Sequence, residues 1–121
     1  MNTAIIMLGS NIDACSNLEL AIDKLRGCFE IVGKSNKLKT KPVGLQCSMN
    51  FMNMALKFIT NKNRDDTVIL FKQIEFEMGR NLSKTTTNIP IDIDLIYWND
   101  HLIHDDYTHF EYVRNCVNEI K

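Results

Sequence analysis

Apolar residues recur along the chain in runs of different period, and each period predicts an element. Ala4 to Leu8 is a continuous apolar run, the pattern of a strand buried on both faces, and it leads into Gly9-Ser10-Asn11, a trio suited to a sharp turn with exposed backbone amides. Leu18, Ala21, Ile22, Leu25 and Phe29 follow at helical spacing behind Ser16-Asn17-Leu18-Glu19, which has the form of a capping box and predicts a helix over 16–29. Ile31, Val32 and Leu38 among lysines suit an edge strand within Glu30 to Thr40, ended by Pro42-Val43-Gly44. After the loop 41–49, strict alternation sets Met52, Met54, Leu56 and Phe58 on one face, read as core, and Phe51, Asn53, Ala55 and Lys57 on the other. A second helix is expected behind Asp65 or Asp66 as its cap, with Leu70 or Phe71, Ile74 and Met78 on one side and Gly79 as its stop. Residues 81–88 read as a polar loop. A last alternating strand runs through Ile91, Ile93, Leu95 and Tyr97, followed by a polar turn and a short helix from about Tyr107 whose apolar stripe is Phe110, Val113 and Val117.

The order strand, helix, strand, strand, helix, strand is the split pattern of a ferredoxin-like α+β sandwich, here βαββαβ with a short C-terminal helix. The 121 residues fit one domain, with no repeat and no linker. Both helices of such a sandwich cover one face of the sheet and leave the other open. Alternation then puts Phe51, Asn53, Asp92 and Asp94 together on the open face.

Two carboxylates two residues apart on a strand stand roughly 6–7 Å apart. They repel unless a cation lies between them or one keeps its proton, so the pair is a candidate divalent-metal site; a solvated acidic face is the plain alternative. Phe51 can stack on a planar heterocycle, Asn53 can offer a donor and an acceptor, and the aspartates supply hard oxygen ligands for magnesium. With 45% hydrophobic and 24% charged residues and a formal charge of −1, the composition is that of a globular protein without a broad electrostatic footprint for nucleic acid or an anionic membrane. Neither a membrane span nor a signal peptide is legible, which makes the cytoplasm the expected location. Cys15, Cys28, Cys47 and Cys116 are widely separated and read as reduced thiols. His101, His104 and His109 lack paired cysteines and are expected on the surface rather than on a metal.

Five segments, in order, resemble the 6-hydroxymethyl-7,8-dihydropterin pyrophosphokinase family. Leu8-Gly9-Ser10-Asn11-Ile12 is similar to the family's opening Leu-Gly-Ser-Asn-Leu, and Thr40-Lys41-Pro42-Val43-Gly44 to its Thr-x-Pro-x-Gly loop. Phe51-Met52-Asn53 stands where the family has an aromatic residue, a leucine and an asparagine. Ile74-Glu75 with Gly79-Arg80, and Asp92-Ile93-Asp94, resemble its Ile-Glu, Gly-Arg and Asp-x-Asp. The resemblance implies that Asp92 and Asp94 hold two magnesium ions and are catalytic, with ATP as co-substrate. It places Gly9, Thr40, Pro42, Val43, Phe51 and Asn53 in a pterin pocket, and Glu75, Arg80 and Lys84 on the nucleotide side.

The chain also departs from the family pattern. Ile89 stands where the family has an arginine three residues before its first metal aspartate, the loop 81–88 has only Lys84 as a cation, and the later Pro-His and arginine have no counterpart in register. The resemblance implies Mg-dependent transfer of diphosphate from ATP to the pterin in folate biosynthesis. A catalytically impaired pterin- or nucleotide-binding relative, and a ferredoxin-like regulatory ligand-binding module, are the alternatives.

Overall fold

The chain was analysed as a computed structural model, which describes residues 1–41, 50–80 and 88–121. The elements run in the order β1 (Asn2–Ser10), α1 (Ala14–Arg26), β2 (Glu30–Lys34), β3 (Leu38–Thr40), β4 (Phe51–Thr60), α2 (Arg64–Glu77), β5 (Asp92–Trp98), β6 (His101–Leu102), α3 (Asp106–His109) and α4 (Glu111–Ile120). The sheet has the order β2-β4-β1-β5-β6, with β3 also paired to β4, and the pairings are antiparallel. Disregarding the small additions, this is the ferredoxin-like order expected from the sequence. The unbroken apolar run of β1 is explained by its position: it lies between β4 and β5 with protein on both faces.

One face of the sheet carries the larger core. Ala4, Ile6 and Leu8 of β1, Met54, Leu56 and Phe58 of β4, and Ile93 and Leu95 of β5 pack against Leu18, Ala21, Ile22 and Leu25 of α1 and Phe71 and Ile74 of α2. Phe29 and Phe58 stack with ring centroids 4.3 Å apart, and Phe71 meets both rings edge-on.

Several expectations from the pattern need correction. Asp13, with φ 42°, precedes α1 in place of Ser16; Ser16 lies inside the helix, and the Asn17 side chain donates to the Ile12 carbonyl instead. Gly9 and Ser10 belong to β1 rather than to a turn, and the Asn11 amide donates to the Ile89 carbonyl instead of standing exposed. Asn63, not Asp65 or Asp66, caps α2 by accepting from the Asp66 amide at 2.8 Å. The expected stop at Gly79 is observed: its φ of +86° closes the helix while the Arg80 amide donates to the Glu75 carbonyl. The edge strand within 30–40 breaks at Ser35, whose amide donates to the Ala55 carbonyl and whose hydroxyl accepts from the Ala55 amide.

The largest departure concerns the face expected to be open. Val113, Cys116 and Val117 of α4 pack onto Ile5, Met7, Ala55, Ile96 and Tyr97, so the C-terminal helix covers half of it. A bulge makes this possible: Ile5 pairs with Tyr97 but Ile6 with Leu95, leaving Ile96 as the extra residue. Ile96 and Tyr97 therefore both face α4, and Tyr97 leaves the face shared by Ile93 and Leu95 on which alternation places it. The expected single helix from Tyr107 is two, because Phe110 is extended between α3 and α4. Cys15 and Cys28 are exposed and Cys116 buried, and all three are free thiols as expected; Cys47 lies outside the described residues.

Candidate active site

Strand register places the candidate residues. Gly9 pairs with Asn53 on one side and Asp92 on the other, while Met7 pairs with Ala55 and Asp94, so the four residues Phe51, Asn53, Asp92 and Asp94 share one face as alternation predicts. Gly9 is required by closeness: a Cβ there would meet Asn53 Oδ1 at 3.1 Å and a Phe51 ring carbon at 3.6 Å. Asn11 fixes the approach to β5 through two bonds to Ile89, its amide to the carbonyl at 3.1 Å and its side-chain oxygen from the Ile89 amide at 2.6 Å.

Because α3 and α4 fold back over this face, its uncovered end becomes a cavity of about 320 Å³. Thr40, Phe51, Asn53 and Asp92 line it, joined by Ile89, Asp106, Phe110 and Tyr112. Asn53 donates to Thr40 Oγ1 at 2.7 Å and to the Leu38 carbonyl, so its amide nitrogen ties β3 to β4. Pro42, Val43 and Lys84 lie outside the described residues.

A second cavity, about 840 Å³, runs between α2 and the β5–β6 edge. Val68, Ile69, Leu95, Leu102 and Ile103 give it apolar walls, while Arg64, Lys72, Asp94 and His104 bring charge and hydrogen-bonding groups. Asp92 thus lines one cavity and Asp94 the other, on the same face of one strand.

The electrostatics of the pair follow from burial. Partial burial, then the Asp92 charge and a hydrogen bond to Asp92, push the Asp94 carboxyl up to about 8. Two carboxylates so placed are short of positive charge, and hard oxygen donors at this spacing fit Mg²⁺. Arg80 supplies part of the missing charge by donating to Asp92 Oδ1, to Glu75 Oε2 at 3.2 Å and to the Ile91 carbonyl. Burial alone would lower its pKa, but the hydrogen bond and charge of Asp92 outweigh that and raise it. Glu75, 5% exposed, also accepts from the Ile93 amide at 2.8 Å and pairs with Lys72 at 3.4 Å. Glu75 therefore holds Arg80 and the start of β5 in place. Burial, then the charges of Asp106, Asp94 and Asp92, raise the Tyr112 phenol and keep it protonated.

The sequence reading missed Asp106, Phe110 as a pocket residue, Tyr112 and His104. His101 and His109 are exposed as expected, but His104 is half-buried with Nε2 4.0 Å from Asp94 Oδ1. The available signal was the spacing of Tyr112, Cys116 and Ile120 at i, i+4 and i+8, which puts Tyr112 on the border of the helix's buried side, packed against Val113, Cys116 and Val117. Arg114 donates to the Tyr107 and Thr108 carbonyls and so secures α3 rather than the aspartates. Among the described residues, no helix is long and apolar enough to cross a membrane.

The chain is 33% identical over 104 residues to the 2-amino-4-hydroxy-6-hydroxymethyldihydropteridine pyrophosphokinase of Aquifex aeolicus, covering 85% of this chain and 65% of that protein. It is 33% identical over 101 residues to the protein of the same name from Bacillus subtilis, covering 81% and 60%. It is also 27% identical over 105 residues to the folate synthesis bifunctional protein of Arabidopsis thaliana, covering 84% and 22%. The chain thus spans somewhat less than two thirds of the length of the two bacterial relatives. Residues 5–121 match the sequence pattern of one family throughout, and the chain belongs to that family, the 7,8-dihydro-6-hydroxymethylpterin-pyrophosphokinases.

Proposed function

We propose that the chain transfers diphosphate from ATP to 6-hydroxymethyl-7,8-dihydropterin, as the names of its bacterial relatives describe for a pyrophosphokinase. The observation that carries this reading is the position of the aspartates, Asp92 on an aromatic cavity of about 320 Å³ and Asp94 on a groove of about 840 Å³. A transfer between two substrates needs both reacting groups beside one cation-binding pair, and this arrangement supplies it.

The smaller cavity suits a single bicyclic ring, with Phe51 and Tyr112 as stacking surfaces and Thr40 and Asn53 as polar edges. The larger groove suits the nucleotide, its apolar walls toward the base and Lys72 and Arg64 toward phosphate. In the transfer, the hydroxymethyl oxygen bonds to the β-phosphorus, the bond from that phosphorus to the α–β bridging oxygen breaks, and AMP leaves; the hydroxyl proton passes to solvent. Magnesium held by Asp92 and Asp94 would neutralise phosphate charge. Glu75 positions Arg80 and β5, and Arg80 orients Asp92 through the bond to its Oδ1. Pro42, Val43 and Lys84 keep the roles that the family resemblance implies, the first two beside the pterin and the last beside phosphate. The reaction belongs to folate biosynthesis, and the cytoplasm is its proposed location.

Ile89 favours a second reading. It lines the pterin-side cavity where the family has an arginine, so the chain can retain the pocket with weakened transfer. Incubation with ATP, Mg²⁺ and 6-hydroxymethyl-7,8-dihydropterin, followed by AMP detection, separates the two. AMP formation lost in Asp92→Ala supports the transferase. Pterin binding without AMP at high protein concentration supports the impaired binder.

A further inference from the structure

We infer that His104 is a phosphate-binding residue of the larger groove, a neutral imidazole that donates its Nε2 hydrogen to an oxygen of the nucleotide's phosphate chain. The tautomer follows from a backbone contact. The Asp106 amide donates to His104 Nδ1 at 3.2 Å, which requires a lone pair on Nδ1 and leaves the ring proton on Nε2. Asp106 Oδ2, 3.5 Å from the same nitrogen, faces that lone pair and adds no hydrogen bond to it.

The Nε2 hydrogen is available to a ligand. The side chain is 39% exposed and lines the groove of about 840 Å³ together with Arg64, Lys72 and Asp94. Nε2 stands 4.0 Å from Asp94 Oδ1, beyond hydrogen-bond reach, and among the described residues no other acceptor takes its proton. Lys72 is already drawn to Glu75 at 3.4 Å, whereas His104 presents its donor beside the aspartate at which transfer is proposed. The backbone on either side of the ring is held as well. The Ile103 amide donates to the Ile96 carbonyl at 2.8 Å, and the Tyr107 amide to the His104 carbonyl at 3.4 Å.

A protonated Nε2 cannot ligate a cation, but it suits a phosphate oxygen. Such an oxygen can accept at about 2.9 Å from Nε2 without displacing a protein hydrogen bond, and a charge-assisted bond of that kind is roughly twice as strong as a neutral one. The need for a further donor is set by Ile89, which leaves the neighbouring cavity without an arginine. A helix-capping role for the ring is the purely structural alternative, because the Asp106 amide opens α3. The inference rests on reading the groove as the nucleotide side, and its test measures binding separately from transfer.

The experiment is calorimetry of ATP and of adenosine on the full chain at pH 8 with Mg²⁺, together with nitrogen NMR of the isotope-labelled imidazoles. His104→Ala should weaken ATP by about tenfold or more and leave adenosine unchanged, since only ATP carries the phosphate chain. Asn keeps an acceptor for the Asp106 amide but not the Nε2 donor, so His104→Asn should bind ATP as weakly as His104→Ala while melting near the wild type. Gln sets an amide donor near the Nε2 position, and His104→Gln should recover most of the affinity. The His104 ring should show its proton on Nε2, with a signal that moves on addition of ATP but not of adenosine. Wild-type ATP affinity in His104→Asn, a ring proton on Nδ1, or equal losses for ATP and adenosine would overturn the inference. Failure of AMP formation with the phosphate-dependent loss intact would instead count against the proposed transferase.

Discussion

Replacing Asp94 by Asn should stabilise the metal-free protein while abolishing the proposed Mg²⁺-dependent transfer, two effects of opposite sign from one atom exchange. In the folded chain, burial and Asp92 raise the Asp94 pKa from an ordinary 3.8 to about 8. The unfolded chain loses this proton near pH 4 while the folded chain holds it, so wild-type stability declines as pH rises from about 4 and levels off above about 8. Asn does not titrate, and its amide can still donate toward Asp92 as the protonated acid does. The full shift sets a ceiling of about 5–6 kcal/mol at ~1.4 kcal/mol per unit. With 29% of the side chain exposed and Arg80 acting on the same pair, about 2–3 kcal/mol is expected at pH 8. In a domain of this size that raises the melting temperature by about 8 °C. The assay is thermal unfolding of both proteins in EDTA at pH 5 and pH 8, repeated with Mg²⁺. The gap should be small at pH 5, wide at pH 8, and reduced by Mg²⁺, which stabilises only the wild type. A lower melting temperature for Asp94→Asn at pH 8 in EDTA would refute the reasoning.

Other outcomes follow from the same geometry. Gly9→Ala sets a methyl group 3.1 Å from Asn53 Oδ1 and should cost about 1 kcal/mol in stability, with a larger loss of pterin binding measured by calorimetry. Glu75→Ala leaves the Ile93 amide and Arg80 without their buried acceptor and should cost about 2–4 kcal/mol in urea unfolding. Glu75→Gln, which can still accept from Ile93, should cost less. Tyr112→Ala should raise KM for the pterin about tenfold with little change in KM for ATP, since the ring lines only the smaller cavity.

Local periodicity carried the sheet but not its second covering layer. The alternation in β4 correctly divides Met54, Leu56 and Phe58 from Asn53 and Ala55, because a strand held in one register exposes its pattern directly. The same logic fails at Tyr97, where one inserted residue reverses the faces, and a bulge has no separate signature in an apolar sequence. The apolar stripe of α4 was legible, whereas the surface it docks on was not, since that choice depends on Ile5, Met7 and Ala55 arriving from distant parts of the chain. Asp92, Asp94, Phe51 and Asn53 could be placed together for the same reason β4 could. His104 and Asp106 could not, because the hairpin that returns them to Asp94 is set by a two-residue turn at Asn99 and Asp100 rather than by any repeating pattern.

The two bonds between Asn11 and Ile89 link residues 78 positions apart and seat the strand bearing both aspartates against the first strand of the chain. During synthesis, a chain that has emerged only through α2 can pair β1 with β4, but it presents the other edge of β1 bare. The acidic pair reaches the sheet only when β5 closes that edge, a long-range pairing whose closure entropy is among the costs of completing the fold. The candidate site is therefore assembled at the end of folding, and a fragment truncated before β5 combines an unprotected sheet edge with the absence of both carboxylates.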